Sequence, residues 1–333
     1  MKLNHYLIMN NNTTSKVEHA LPTSKVVKSA VIVVKDYPEH IFKTLDSVRS
    51  FVDEVVIGDI GIDEELLAKL KKIENIKIVT VTKKVPYVEL IREELHAQAK
   101  GDYILVLDSD EIVPSALATL LDSAVGKYDY VKVPRKNIIF GKWIEHSRWW
   151  PDYQVRFFKK GSVVWPKVLH AQPKAEGSEL IIEPKEENAL VHYNYRDLDE
   201  YLSKAPRYAK AEAAGILKQV QDDNTAQSDT SFTFFGKKAL SEFVGRYFAD
   251  DGYKDGMHGF VLAFLQMMYY FLVYFYVWEL GGRKEVEQKS LLQGTVQFFS
   301  DALYEISFWG KKKGLSNISF VKSKLHNLVR KLS

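Results

Sequence analysis

The chain has 333 residues, a net charge of +3 from 46 basic and 43 acidic side chains, 46% hydrophobic residues and no cysteine. That length provides for one large domain or two ordinary ones, and the absence of cysteine excludes disulfides, thiolate nucleophiles and cysteine-ligated metals. Because cysteine is absent, any chemistry must use carboxylates, histidines, hydroxyls, lysines, arginines, or a metal held by oxygen and nitrogen. The near balance of charge excludes a strongly basic nucleic-acid binder.

Residues 1–27 contain one short apolar run, Tyr6–Met9, followed by polar, asparagine-rich sequence. The run is too short to be the apolar region of a signal peptide. We therefore expect residues 1–27 to form a flexible N-terminal arm of a cytoplasmic protein.

From residue 28 onwards, short β-branched runs alternate with stretches of helical spacing. The runs predict strands at residues 29–34, 54–59, 76–81, 103–108 and 130–134. The stretches predict helices at residues 38–51, 63–73, 87–100 and 114–125, with Pro38 and Pro114 at first helical positions. This alternation predicts an α/β fold with a mostly parallel, Rossmann-like sheet flanked by helices, which binds ligands at the carboxyl ends of its strands.

The second half of the chain changes in character. Four of the six tryptophans fall within residues 141–170, and a charged helical segment follows at 198–220. Polar sequence then leads into aromatic helical sequence that reaches about Trp309. We expect an α/β domain at residues 28–220, a linker at 221–231, a helical C-terminal region at 232–310 and a basic tail at 311–333.

The segment LVLDSDE is the sharpest local feature, because an apolar strand runs directly into Asp108 and Asp110, with Glu111 behind them. Two carboxylates one residue apart at a strand end suit a divalent cation that binds a diphosphate, since the cation offsets charge developing on the leaving group. The alternative is a solvated turn that caps the next helix, because Asp-x-Asp is a common pattern.

Several motifs in chain order carry a family resemblance. They are VIVVKDYPEHIFKTLDSVRSFVDEVVIGD (31–59), GDYILVLDSDE (101–111), RKNIIFGKWIEHSRWWPDYQVRFFKKG (135–161), VLH (168–170), VHYNY (191–195) and the pair Lys204 and Tyr208. With them the sequence resembles the family 2 glycosyltransferases of the GT-A fold, especially the lipopolysaccharide-core glucosyltransferase-like branch. The resemblance covers about residues 29–208 and implies an inverting enzyme that transfers a hexose from a nucleotide sugar.

On the donor side, the resemblance implies that Asp59 accepts a hydrogen bond from the nucleobase, most simply uracil. Asp108 and Asp110 would bind the nucleotide sugar through its ribose, its diphosphate and Mg²⁺ or Mn²⁺. Asp36 belongs to the same donor side, and Arg92 would lie near the diphosphate. A surface helix arginine is the alternative for Arg92.

His170 is a candidate third metal ligand, and a hydrogen-bonded structural histidine is the alternative. On the acceptor side, Asp152 is the candidate general base, because an inverting transfer needs a carboxylate that takes the acceptor's proton opposite the leaving diphosphate. The alternative is that Asp152 caps a helix beginning near Tyr153. Trp149 and Trp150 are candidates for stacking on a sugar ring, with core packing as the alternative, and Glu111 is assigned to the same acceptor side.

The sequence departs from the family pattern at Asp36-Tyr37, in the loop 60–64 and at Glu93, all on the nucleotide side. These departures leave open a non-catalytic, membrane-associated saccharide-binding protein of the same fold. A third hypothesis is a sugar-nucleotide nucleotidyltransferase. That enzyme class needs a glycine-rich loop after the first strand, and VVKDYPEH contains no glycine.

Residues 260–278 form a run of 19 without a charge, which is the length of a spanning helix. Nine of the 19 are aromatic, four of them tyrosines, and tyrosine and tryptophan prefer the membrane interface to the bilayer centre. We expect a helix that is buried in the protein, forms a dimer contact or lies in the plane of the interface. The tail 311–333 has seven basic and no acidic residues, so it either attracts anionic lipid or is a solvated tail.

The expected partners are a nucleotide-sugar donor and a saccharide or lipid-linked acceptor of the cell envelope, with Mg²⁺ or Mn²⁺ as cofactor and no nucleic acid. A homodimer is left open. Since nucleotide sugars are cytoplasmic, we expect the protein in the cytoplasm or peripherally bound to the cytoplasmic face of the inner membrane.

Overall fold

The computed structural model describes residues 25–83, 85, 88–166, 172–222 and 230–314. Its strands are β1 (Lys28–Asp36), β2 (Glu54–Ile62), β3 (Ile76–Thr80), β4 (Tyr103–Asp108), β5 (Glu111–Ile112), β6 (Tyr130–Val133), β7 (Arg135–Ile139), β8 (Lys142–Trp143), β9 (Gln154–Lys159), β10 (Val163–Val164), β11 (Lys174–Ala175), β12 (Glu179–Ile181) and β13 (Leu190–Tyr195). Its helices are α1 (Ile41–Val48), α2 (Glu64–Leu70), α3 (Arg92–Gln98), α4 (Ser115–Ala124), α5 (Leu198–Asp222), α6 (Phe232–Val244), α7 (Met257–Leu280) and α8 (Gln288–Lys312).

The main sheet has seven strands in the order β12-β6-β9-β4-β1-β2-β3. All of them are parallel except β9, which runs antiparallel to its neighbours β4 and β6. The predicted fold class, a mostly parallel sheet flanked by helices, is confirmed. The chain order reverses between β1 and β4, and the crevice beyond the carboxyl ends at such a reversal is where sheets of this kind bind ligands.

The central strands are buried on both faces, as their continuous apolar runs require. Ile32 of β1 and Leu105 of β4 belong to one hydrophobic cluster, which also contains residues of α1, α2 and α4. Their neighbours Val31 and Val106 belong to a second cluster on the opposite face, with residues of α3. The sheet is therefore rigidly held from both sides, and so are the side chains at its strand ends.

A second, four-stranded sheet has the order β5-β13-β7-β8. β13 runs parallel to β7 and antiparallel to β5, with His192 opposite both Asn137 and Glu111. Because β5 follows β4 after a two-residue turn, this small sheet lies beside the carboxyl end of β4. It adds polar side chains to the position where Asp108 leaves the main sheet.

Two local predictions differ from the structure. Helix α1 begins at Ile41, so Pro38 lies outside it, and Pro114 lies in extended backbone at the N-cap of α4. The proposed helix near Tyr153 does not exist, because residues from Gln154 onwards form strand β9. The alternative in which Asp152 caps a helix is therefore wrong.

The C-terminal helices form a layer in which α7 packs against α5 and α6, while α8 packs against α6. Ala209 and Ala213 of α5, Phe235 of α6, and Val273 and Val277 of α7 share one core. By length and composition α7 could cross a membrane, with a mean hydropathy of 1.8 over its most apolar window, of which 33% is buried. Because α7 packs against the charged helix α5, it belongs to the folded layer of C-terminal helices.

Parts of the predicted domain organisation lie outside the described residues. This applies to most of the arm 1–27, the linker 221–231 and the tail 311–333, and also to His170. The boundaries predicted at 28–220 and 232–310 stay predictions.

Candidate active site

The turn after β4 is held in place from several directions. The backbone N–H of Asp108 donates to Oε2 of Glu111 at 2.9 Å, and the Thr44 hydroxyl donates to the carbonyl of Ser109 at 3.1 Å. The N–H of Tyr193 in β13 donates to the carbonyl of Asp110 at 3.0 Å. The two aspartate side chains therefore have fixed directions at the sheet reversal.

Buried arginines balance two of the three carboxylates of this turn. Nη2 of Arg156 lies 2.7 Å from Oδ2 of Asp108 and 2.5 Å from Oε1 of the fully buried Glu111. Nη1 of Arg135 lies 3.4 Å from the same Glu111 oxygen, and Nη2 of Arg92 lies 3.7 Å from Oδ1 of Asp108. Because the Arg92 side chain is only 11% exposed, the alternative of a surface helix arginine is wrong.

These neighbours shift the pKa values of Asp108 and Asp110 in opposite directions. Burial opposes ionisation of Asp108, but Arg156 and Arg92 outweigh it and hold the pKa of Asp108 below its usual range. Burial, together with the charges of Asp108 and Glu111, raises the pKa of Asp110 to about 8. Within the described residues no lysine or arginine forms an ion pair with Asp110. Asp110 is therefore the carboxylate at which additional positive charge is most stabilising.

His192 faces this carboxylate, with Nε2 lying 3.7 Å from Oδ1 of Asp110. Its other nitrogen, Nδ1, lies 2.7 Å from Oδ1 of Asn137. The amide nitrogen of Asn137 donates to Asp152 and to the carbonyl of Trp149, so Nδ1 must be the protonated nitrogen of His192. Burial, followed by Arg135, holds the pKa of His192 well below its usual value, so a lone pair on Nε2 points towards the carboxylate.

A divalent cation fits this donor set. A lone pair and a carboxylate oxygen that face each other repel unless a proton or a metal lies between them. Metal-binding histidines usually donate their other ring N–H to an oxygen, as Nδ1 of His192 does to Oδ1 of Asn137. Ligand atoms of Asp108, Glu111 and His192 also lie within 4.8 Å of one another. Of the predicted ligands Asp108, Asp110 and His170, the first two lie here and the third lies outside the described residues. His192, which was not predicted, faces Asp110 instead.

The cluster formed by Asp108, Asp110, Glu111 and His192 opens into a cavity of about 1220 Å³. The cavity lies between the point where the strand order of the main sheet reverses and the C-terminal helices. Such a volume exceeds that of most small-molecule sites, which suits a nucleotide together with a second substrate. Of the predicted residues, Asp36, Arg92, Asp108, Asp110 and Trp149 line the cavity. Helices α5 and α7 close its other side with Tyr201, Lys204, Tyr208, Leu262, Gln266 and Tyr269.

Other predicted residues lie outside this lining. Glu111 is buried beneath the turn, and Asp59 is 8% exposed within β2, which extends past the predicted strand end to Ile62. Oδ1 of Asp59 accepts from the N–H groups of Gly61 and Ile62, each at 2.9 Å. Asp59 therefore holds the last residues of its own strand.

The carboxylate of Asp152 is held by three residues. Its Oδ2 accepts from Nε and Nη2 of Arg135 at 2.8 and 2.5 Å and from Asn137 at 3.1 Å, while Oδ1 accepts from Gln154 at 2.8 Å. Asp152 thus joins the cluster through Arg135. It lies behind the cavity wall, to which Gln154 and Arg135 contribute.

The two predicted tryptophans have different surroundings. The Trp149 ring lines the cavity and lies 5.8 Å from the guanidinium of Arg246. The Trp150 ring packs edge-on against Trp143 at 5.3 Å. Trp149 is therefore the one placed to meet a ligand in the cavity.

Arg135, Asn137, Arg156 and His192 were not assigned roles from the sequence. Each lies in a motif that carried the resemblance, RKNIIFG, DYQVRFF or VHYNY. The pairing of β13 with β5 and β7, and of β9 with β4, brings them together. Their positions in those motifs were the only feature of the sequence that could have marked them as site residues.

Comparison with known proteins agrees with this architecture. Residues 29–174, which include β4 and most of the cluster, match the family model described as "Glycosyl transferase family 2". An uncharacterized glycosyltransferase of Rickettsia felis is 20% identical over 259 residues, 72% of this chain and 87% of the relative. Another from Rickettsia bellii is 23% identical over 266 residues, 74% of this chain and 85% of the relative. Residues 29–174 are therefore similar to family 2 glycosyltransferases.

Solved structures of TarS from S. aureus resemble the chain more weakly. For one the identity is 12% and the TM-score 0.37, covering 73% of this chain and 49% of TarS, so the chain spans about half of that protein. TarS 1–349 in complex with UDP-GlcNAc is 14% identical with a TM-score of 0.39, covering 73% of this chain and 81% of that one. Likeness at this level carries no argument about function.

Proposed function

We propose that the protein is an inverting, metal-dependent glycosyltransferase that moves a hexose from a UDP-sugar to a saccharide or lipid-linked acceptor of the cell envelope, in polysaccharide or lipopolysaccharide synthesis. The observation that carries the proposal is the placement of Asp108 and Asp110 at the sheet reversal, between buried arginines and at the floor of a cavity large enough for two substrates. The proposed donor class assigns the reaction to the cytoplasm or the cytoplasmic face of the inner membrane.

The donor's diphosphate would lie over this floor. Asp108, Asp110 and His192 would hold Mg²⁺ or Mn²⁺, which supplies Lewis-acid stabilisation of the leaving diphosphate when bound. Arg92 and Arg156 line the same part of the cavity and keep their charge, so they would attract the phosphate oxygens. Asp36, on the β1 side, would contact the nucleoside part of the donor, and the end of β2 that Asp59 holds would flank the base.

Asp152 remains our candidate for the base that takes the acceptor's proton. Its carboxylate is held by Arg135 and Gln154, so an acceptor hydroxyl reaches Oδ1 only by replacing the Gln154 amide. In that arrangement Arg135 would keep Asp152 correctly oriented until the hydroxyl arrives. Trp149 would form the apolar platform for the acceptor sugar.

Calorimetric titration of UDP-sugars with and without Mn²⁺ tests the donor site directly. Asp110→Asn should abolish the Mn²⁺-dependent part of donor binding and reduce transfer, because the amide removes the anionic ligand. Asp46→Asn changes an exposed aspartate on α1 and serves as the matched control. Unchanged metal-dependent binding in Asp110→Asn would contradict the site, and no nucleotide binding by the unmodified protein would contradict the proposed function.

A further inference from the structure

The outer face of helix α7 is apolar along its whole length. Buried residues such as Leu265, Val273 and Val277 face α5 and α6. The other side of the helix is partly exposed, even where Phe260 and Phe264 contact Phe243 of α6. The exposed apolar residues on that side follow one another at intervals of three, four and seven residues, so they form one continuous stripe along the helix. The exposed members of the stripe are Met257, Phe260, Phe264, Met268, Phe275 and Trp278.

Helix α8 carries a second stripe of the same kind. Its exposed residues with spacings of four, three, four and three are Leu292, Val296, Phe299, Leu303 and Ile306. The acidic residues of this helix, Asp301 and Glu305, are half-buried and share the face of Phe298, which packs against α6. The exposed face of α8 therefore combines large apolar side chains with uncharged or basic ones.

The two stripes are joined by ring contacts. Phe275 of α7 stacks on Phe271 with centroids 6.5 Å apart, Phe271 meets Phe298 of α8 at 5.5 Å, and Phe298 meets Phe299 at 5.3 Å. The outer members of this chain, Phe275 and Phe299, are 53% and 62% exposed. The exposed rings thus belong to one apolar surface, whereas hydrophobic residues on an ordinary protein exterior are scattered singly.

Positive charge begins where this surface ends. Lys311 and Lys312 lie exposed in the last turn of α8, with the Lys312 ammonium 4.6 Å from the ring of Trp309. The sequence beyond residue 314 adds Lys322, Lys324, Arg330 and Lys331 and no acidic residue. The occupant of the surface must therefore be both apolar and anionic.

We propose that the outer faces of α7 and α8 dock on an anionic lipid bilayer, with α7 lying in the plane of the membrane interface. Aromatic and methionine side chains would enter the boundary between headgroups and acyl chains, and the lysines would contact anionic headgroups. A spanning orientation is incompatible with the packing of α7 on α5, whose Glu212 accepts a hydrogen bond from Tyr269 at 2.7 Å. This surface is distinct from the cluster around Asp110, and the proposal does not rest on the proposed chemistry.

Flotation with vesicles tests the proposal, using phosphatidylcholine alone and phosphatidylcholine mixed with phosphatidylglycerol. We expect binding that requires phosphatidylglycerol and weakens with salt, since each lysine near the surface contributes about fivefold to the partition. The double variant Val296→Glu/Phe299→Glu should bind at least about tenfold more weakly, because two apolar anchors are lost and negative charge is added. The matched control Val164→Glu/Ile181→Glu changes two exposed apolar residues on β10 and β12 and should bind normally.

Far-UV circular dichroism and calorimetric binding of UDP with Mn²⁺ to both variants report whether fold and donor site are intact. The docking proposal is overturned if the unmodified protein does not bind the anionic vesicles, or if the α8 variant binds them equally well. It is also overturned if sedimentation shows a dimer that the α8 variant loses while neither protein binds vesicles, because a second copy would then cover the surface. Vesicle binding without UDP binding would support docking while contradicting the donor site.

Discussion

Nε2 of His192 and Oδ1 of Asp110 face each other across 3.7 Å, and the amide of Asn137 fixes the histidine from behind. The interaction joins the two sheets, because Asp110 follows β4 of the main sheet while His192 belongs to β13 of the small one. An acidic strand end thereby becomes a site with both oxygen and nitrogen donors. The histidine contributes only while Asn137 keeps Nδ1 protonated.

Asn137→Ala should weaken Mn²⁺ binding by about 10- to 100-fold, because the imidazole loses the partner that sets its tautomer and orientation. Calorimetric titration of Mn²⁺ into the protein with UDP present measures the change. His258→Gln removes a histidine that lies against the carbonyl of Phe140, away from the cluster, and serves as the control. Equal Mn²⁺ affinities for Asn137→Ala and the unmodified protein would show that His192 is not a ligand.

Arg156→Met should lower the free energy of unfolding by about 3–5 kcal/mol, because it leaves Asp108 and the buried Glu111 without their principal cation. Urea denaturation followed by circular dichroism measures the loss. Adding Glu111→Gln to Arg156→Met should recover part of it by removing one unpaired charge.

Arg49→Met breaks only an exposed, 3.9 Å contact with Asp46, and we expect it to change stability by less than about 0.5 kcal/mol. A similar small change in Arg156→Met would mean that the three carboxylates of the turn are balanced in another way.

Asp152→Asn should lower the transfer rate by about 10²- to 10⁴-fold with UDP-sugar binding unchanged, which is the result expected on losing a general base. Steady-state transfer and calorimetric donor binding are the two measurements. Gln154→Ala removes only the donor to Oδ1 and should keep most of the activity. If donor binding in Asp152→Asn falls in step with the transfer rate, Asp152 acts by anchoring Arg135, and the base must be sought elsewhere.

His96 gives a pH dependence to stability. It is 6% exposed between the rings of Phe158 and Trp165, and burial, reinforced by Arg92 and Lys160, lowers its pKa to about 3. Its pKa in the unfolded chain is about 6.5, so the unfolded state alone binds a proton between pH 6.5 and 3. Stability should therefore fall as the pH decreases through this window, with His96 accounting for up to about 4 kcal/mol.

His96→Leu should flatten that part of the pH profile, as measured by urea unfolding at successive pH values. The exposed Arg49 provides the comparison, since Arg49→Met removes no group that titrates in this window and should keep the slope of the unmodified protein. Identical slopes for His96→Leu and the unmodified protein would indicate that His96 is protonated when folded.

The sheet and the acidic pair could be predicted from sequence because both depend on local patterns. The β-branched run that ends at Asp108 predicts both the strand and the position of its carboxyl end. His192 and Arg156 could not be assigned, because strand pairings between distant segments bring them to Asp110 and Asp108. The sequence of α7 left burial, a dimer contact and the interface plane open, because its packing against α5 and α6 joins segments that are distant along the chain.

Helix α7 also has a second face, with Leu262, Gln266 and Tyr269 in the wall of the cavity. If its outer face rests on lipid as proposed, the same helix separates the acyl chains from the reaction chamber by the width of one helix, about 10 Å. An acceptor anchored in that bilayer would meet the enzyme by lateral diffusion. Turnover would then follow the number of acceptors per unit area of membrane instead of their concentration in the surrounding solution.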